Sequence, residues 1–397
     1  MQNLKIYLII GGLLLLVVSL FSYLFSGSIE IIERFEGPIP FIPTAGINKT
    51  VRHYIETKPS RFVLLIGGPS QSGKSRLIDI LHQESIDSSR LSIRIDAGQA
   101  NSIEDLMNFV KVGLVEGLAP IQTSINFKNV ENFDMTETNT RKEKMNTEQK
   151  MTKLYKALVK SIDSCYNNGF SERNIHRFFE ILEIVSDNFH PIIFVHNYDR
   201  ISLLGTNDDP EFGKKLIDSI IAYLKHRDLY SQTIPIVLEI KNTLYLLQKN
   251  PNPIFRYYEM EPLGDVTKDL VDNNPVFNLF ELKSVIKSFG AHGGSIAKIF
   301  ESLRYGMKID NAIESLSKSI RKGLRAKISG NEHAIQLSKR ICDGKGSMHV
   351  TNISDIKTLA PLFNGYLYLS KDFQIKSSNK AVVRVLCSIN SKNLDDF

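Results

Sequence analysis

The 397-residue sequence predicts an α/β protein: a parallel sheet sandwiched by helices, preceded by one transmembrane helix and followed by a helical region. Three observations predict it. Arg61 to Ser75 runs from an apolar segment through Gly67-Gly68 into Gly73-Lys74-Ser75. Short, near-continuous apolar runs then alternate with stretches of helical spacing, the pattern of parallel strands covered on both faces. Finally, Ile6 to Phe25 carries no charge and has the length of a single bilayer crossing, about 20 residues.

Hydrophobic content of 42% and charged content of 23% are those of a globular protein, which excludes fibrous and disordered classes. The net charge of +6 is mild and spread along the chain, so it selects no partner by itself. Cys165, Cys342 and Cys387 are far apart and odd in number, which predicts reduced thiols rather than a disulfide framework or metal cluster. That reading suits a reducing compartment.

The segment 1–28 reads as a membrane anchor, with Tyr7 and Tyr23 near the ends of the apolar span. A cleaved signal peptide is the rival, since Ser26-Gly27-Ser28 resembles a small-residue site. The apolar span exceeds the roughly 7–15 residues usual in a signal, and its flank carries only Lys5, so the anchor is preferred. Residues 29–60 form a juxtamembrane linker, stiffened by Gly37-Pro38-Ile39-Pro40-Phe41-Ile42-Pro43. Ile47 to Glu56 is expected to pack beside the site that follows.

In 61–260, Phe62 to Ile66 is the first strand, and Gly68 to Ser75 fits G-x-x-x-x-G-K-[ST], the phosphate-binding P-loop. Glycines let backbone N–H groups curl round phosphates, and the next helix adds its positive end. Gly68, Pro69, Ser70, Gln71, Ser72, Gly73, Lys74 and Ser75 are therefore the predicted nucleotide cradle. Lys74 reaches the outer phosphates, and the Ser75 hydroxyl is a ligand for Mg²⁺. Arg76 is counted with this set, a plain surface charge being its rival.

Leu91–Asp96 is the second strand, and a helix follows over about 101–117. The polar, unperiodic stretch 126–150 reads as a solvated insertion. Helices are predicted over Met151–Asn167 and Ser171–Phe189, then strands over Pro191–His196, Ile234–Ile240 and Phe255–Met260. Asp209 and Pro210 are placed to cap and start a helix between them. Residues 261–330 are helical, with apolar stripes at Ile296, Ile299, Phe300, Leu303 and at Ile309, Ile313, Leu316, Ile320. In 331–397, a helix from Ser354 to Phe363, two short strands and a closing helix suggest a winged helix.

This order resembles the AAA+/STAND group of P-loop NTPases, and within it the archaeal-type ATPases, over about 61–306. The resemblance implies an ATP and Mg²⁺ site beneath a helical lid. In that group the strand here ending Ile192-Ile193-Phe194-Val195 continues with Asp-Glu; this chain has His196-Asn197, followed by Tyr198-Asp199-Arg200. A neutral imidazole suits hard Mg²⁺ poorly. Asn197 orients water but takes no proton. Asp199 is the nearby carboxylate that would serve metal and catalysis. Asn242 stands where the group's first sensor places a polar residue near the γ-phosphate, and Gly293-Gly294-Ser295 opens a lid helix. Lys74, Asn197 and Asp199 are thus the catalytic candidates.

The expectation is a membrane-anchored, ATP-binding protein, its ATPase region in the cytosol, coupling nucleotide state to rearrangement, a protein partner or self-assembly. Turnover is left open by His196-Asn197. The alternative is a nucleic-acid binder or protein scaffold acting through the winged helix, with an inactive core. Lys371, Lys376, Lys380 and Arg384 give that region some charge but no dense stripe, so nucleic acid is not favoured.

Overall fold

The Val63–Gly67 run is apolar and buried at every position, as a central strand must be when helices cover both of its faces. It is β1 in a computed structural model that describes residues 45–56, 63–123, 147–167, 172–184, 186–205, 209–227, 234–241, 243, 255–260, 279–350, 352–363, 365–370 and 372–389. The predicted transmembrane span 6–25, the Pro-rich linker, 126–146 of the insertion, and Asn242 lie outside these residues. Among the described residues no helix is long and apolar enough to cross a membrane.

The chain divides into two compact units. One comprises Pro43–Glu261 and Ser347–Lys376, the other Pro262–Gly346 and Ser377–Phe397. The first begins with α1 (Ala45–Glu56), β1, α2 (Lys74–Asp87), β2 (Ser92–Asp96) and α3 (Ile103–Leu118). After α4 (Thr147–Asn167), α5 (Glu172–Ile184) and α6 (Ser186–Phe189) come β3 (Ile192–His196) and the one-turn α7 (Tyr198–Ile201). Next are α8 (Phe212–Arg227), β4 (Ile236–Glu239) and β5 (Phe255–Glu259). The strands run parallel in the order β2-β3-β4-β1-β5. This is the predicted parallel α/β sheet, with β5 as a half-exposed edge.

Alternation sends Val63 and Leu65 into a core shared with α3, α4, α5 and α8, while Leu64 and Ile66, also buried, face the other way. On that second side, α2 brings the His82 ring edge-on to Phe194 of β3. The first core keeps an apolar cavity of about 150 Å³ between sheet and helices.

Several elements differ from expectation. The helix predicted over 171–189 is two, α5 and α6. α8 starts at Phe212 rather than Pro210; Asp209 instead accepts the Glu211 N–H and pairs with Lys215. α1, expected beside the site, is held through side chains of its second half. Its Tyr54 hydroxyl bonds the backbone of Ile236, at the amino end of β4, and Arg52 pairs with Glu84 late in α2.

The remaining segment of this unit forms a three-stranded sheet, β6 (Ser347–His349), β7 (Leu367–Leu369) and β8 (Gln374–Ser377), ordered β6-β8-β7. Within it α13 (Ile353–Leu359) is capped by Asn352, not Ser354, because the Asn352 side chain accepts the Ser354 N–H. The Leu369 N–H donates to Thr243 Oγ1, tying the small sheet to the chain just past β4.

The second unit holds α9 (Leu279–Phe289), α10 (Gly293–Arg304), α11 (Ile309–Ile328), α12 (Glu332–Asp343) and α14 (Lys380–Ile389). Its cysteines correct the expectation of free thiols: Cys342 of α12 is bonded to Cys387 of α14. Chain spacing hid the pair because 45 residues separate them, and packing of the two helices brings their Cα atoms to 5.1 Å.

Helix α3 reaches the sheet through glycines. A Cβ on Gly113 would lie 2.2 Å from the Arg94 carbonyl oxygen, and one on Gly117 would lie 2.3 Å from that of Ser92. Gly113→Ala is therefore expected to lift α3 from β2 and lower unfolding free energy by about 1–3 kcal/mol. Val115→Ala, on the same helix but half-exposed, should stay within about 0.5 kcal/mol. Chemical denaturation of both variants measures the difference.

Candidate functional site

The strands end at one edge, and there the P-loop closes. β1 stops at Gly67 and α2 starts at Lys74, leaving Gly68–Gly73 as a loop feeding a helix N-terminus. Gly68 has φ 126°, and a Cβ there would stand 2.6 Å from the Met260 carbonyl oxygen. Gln71 and Gly73 are also left-handed, at φ 61° and 94°. Such alternations of hand turn successive N–H groups into an anion-binding hollow.

Lys74 is only 4% exposed, and its Nζ donates to the carbonyls of Pro69, at 2.7 Å, and Gly68, at 3.2 Å. Burial pulls its pKa down from 10.5 to about 8, against the opposing pull of the Glu239 and Asp199 carboxylates. Ser72 Oγ is buried in the same loop with no hydrogen-bond partner among the described residues. A buried ammonium paired only with carbonyls and an orphaned hydroxyl in a glycine-bent loop fit a phosphate, which would supply the counter-charge and acceptors.

Beside the loop lies a polar chain that crosses three strands. Ser75 Oγ donates to Glu239 Oε1 at 2.7 Å. Glu239 ends β4 and is 3% exposed; its Oε2 accepts from His196 Nδ1 at 2.7 Å. His196 ends β3 and is equally buried. Arg94 of β2 donates Nε–H to His196 Nε2 at 3.3 Å, and Asp79 Oδ1 of α2 lies 3.0 Å from that Nε and 3.2 Å from the imidazole. An ionised carboxylate only accepts, so in this pair Nδ1 of His196 is the donor to Glu239. Register explains the meeting: Ile66 is level with Glu239, and Val195 with Leu238.

The other predicted residues fall as follows. Ser70 is half-buried in the loop, and Arg76 is exposed on the first turn of α2. Asn197 turns left-handed at φ 53°, and its Nδ2 donates to Asp96 Oδ1 at 3.0 Å, toward β2 rather than the loop. Asp199 accepts the Lys241 N–H at 2.8 Å from the start of α7. It acts on Lys74 through charge. Asp96, Gly98, Asn197, Asp199, Lys241 and Phe363 border a cleft of about 500 Å³. Sequence reasoning missed Glu239, although an acid within Ile236-Val237-Leu238-Glu239-Ile240 signals a charge that folding must pair.

No protein-family model matches the chain, and no curated protein matches it in sequence. Among solved structures it is similar to the Walker-type ATPase PABY2304 of Pyrococcus abyssi, with a TM-score of 0.54 at 13% identity. The match covers 87% of this chain and 96% of that one. At such identity the likeness is one of fold. With the parallel sheet and the loop geometry, it defines a P-loop NTPase-like α/β protein.

The burial of Lys74 sets a pH dependence. Above about pH 8 the folded chain releases this proton, whereas the unfolded chain holds it to near 10.5. Between those values the unfolded state binds more protons, so stability rises with pH. The nucleotide-free protein should gain in denaturation midpoint from pH 8 to 10, and Lys74→Met should flatten that rise. Parallel urea titrations of the two proteins check it.

Proposed function

We propose that this chain is an ATP-binding P-loop protein of the AAA+/STAND kind, anchored in a membrane through residues 6–25, with the nucleotide site in the cytosol. Binding couples nucleotide state to rearrangement of the helical region or to assembly with itself or a protein partner. The observation that carries the nucleotide reading is Lys74: buried, hydrogen-bonded to two carbonyls of its own loop, and depressed in pKa. An ammonium so placed gains more from a phosphate than from the carbonyls it now touches. When bound, Mg²⁺-ATP supplies the phosphate charge that the loop accepts; Lys74 and the N–H groups of the loop orient it, and the Ser75 hydroxyl faces the metal.

The AAA+/STAND assignment rests on the sheet order and on the helices after β5. The bias toward binding over turnover rests on Asn197, whose amide is tied to Asp96. The membrane anchor rests on the uncharged run Ile6–Phe25. A second reading is nucleic-acid binding or protein scaffolding through a winged helix over 331–397, the region that carries Lys371, Lys376, Lys380 and Arg384. Salt-sensitive retention of a DNA duplex by the full chain would support that reading.

The full chain is expected to bind a fluorescent ATP analogue, and Lys74→Ala to weaken that binding at least about a hundredfold, the scale of two charge-assisted hydrogen bonds. Fluorescence titration measures both. Equal affinities would contradict the assignment of the loop.

A further inference from the structure

We infer that the acidic partner of the P-loop metal comes from β4 rather than β3: Glu239 holds the Mg²⁺ shell beside Ser75, and His196 is its positioning residue. The inference rests on the nucleotide reading above and adds to it the metal side of the site.

Ser75 decides between the carboxylates. A P-loop serine that ligates Mg²⁺ through oxygen keeps its proton for a carboxylate acceptor, and that acceptor stands next to the metal. Here the acceptor is Glu239 Oε1 at 2.7 Å. Asp199 is engaged instead by the Lys241 backbone N–H, beyond the end of β3. The donor set is hard oxygen, as Mg²⁺ requires, and is completed by phosphate and water rather than by more side chains. Consistent with this, the described residues include no cluster of three or more His, Cys, Asp or Glu that would hold a metal alone.

His196 then has a definite role. It occupies the β3 position, but its imidazole is no ligand for Mg²⁺. It spends its Nδ1–H on Glu239 Oε2, while Nε2 is occupied by Arg94 and faces Asp79. One carboxylate oxygen is thereby fixed, and the other is aimed at Ser75. Outer contacts of this kind fix ligand orientation, and their loss costs about 10–100-fold in metal affinity.

The test compares affinity of the full chain for a fluorescent ATP analogue in Mg²⁺ and in EDTA, with Mn²⁺ electron paramagnetic resonance as a direct readout of bound metal. In the unaltered chain Mg²⁺ should tighten binding. Glu239→Gln should lose that gain, read as the ratio of the Mg²⁺ and EDTA affinities, by about tenfold or more. His196→Leu should lose about tenfold of it, and His196→Asn, which restores a donor at the Nδ1 position, should recover most. If Glu239→Gln binds nothing even in EDTA, Glu239→Asp decides: the retracted carboxylate should lose metal dependence, and unchanged metal dependence would overturn the inference. A metal gain that survives Glu239→Gln but vanishes in Asp199→Asn would overturn it as well. Failure of the unaltered chain to bind the analogue in either condition is a different result, because it removes the nucleotide reading itself.

Discussion

A carboxylate buried at the end of a central strand must be paired, because an isolated ion there would cost several kcal/mol. Glu239 is in that position, and its pairing shapes the site. It takes the Ser75 hydroxyl on one oxygen and the His196 imidazole on the other. The first bond fixes the opening turn of α2 relative to β4, and the second locks β3 to β4 at the same level. Lys74, next to Ser75, is kept charged partly by this carboxylate while burial works against it. Burial and the neighbouring carboxylates thus pull the lysine in opposite directions, a conflict that a bound phosphate would relieve.

The rest of the sheet serves to bring these groups level. Parallel strands end together, so Glu239 and His196, the last residues of β4 and β3, meet although they are far apart in the chain. Small residues set the close approach of α3, as Gly113 and Gly117 show against β2. A polar chain from Ser75 to Arg94 thus spans α2, β4, β3 and β2 in one layer. Such a chain is rigid only while each member is satisfied.

The parallel α/β sheet and the loop motif were legible in the sequence. The strands could be read because Val63–Ile66, Ile192–Val195 and Ile236–Leu238 are unbroken apolar runs, and the loop because glycine and lysine spacing is local. Glu239 was not legible as a site residue, since its partners are set by register between strands rather than by neighbours in the chain. The same limit hid the bond between Cys342 and Cys387, which depends on how α12 packs on α14. The cap at Asn352 was missed for a smaller reason: Ser354 is an equally good capping residue by type, and only the backbone decides which is outside the helix. His196-Asn197 could be read only as a departure from Asp-Glu; the bond of His196 to Glu239 depends on the register between β3 and β4.

The most direct measurement is a crystal structure of the chain with Mg²⁺ and a non-hydrolysable ATP analogue. The account predicts phosphates in the Gly68–Ser75 loop, Lys74 Nζ turned from the Pro69 carbonyl to phosphate oxygen, and the metal at about 2.0–2.1 Å from Ser75 Oγ with Glu239 on its shell. A nucleotide seated elsewhere, or a metal held by Asp199 with Glu239 still bonded only to Ser75 and His196, would contradict it.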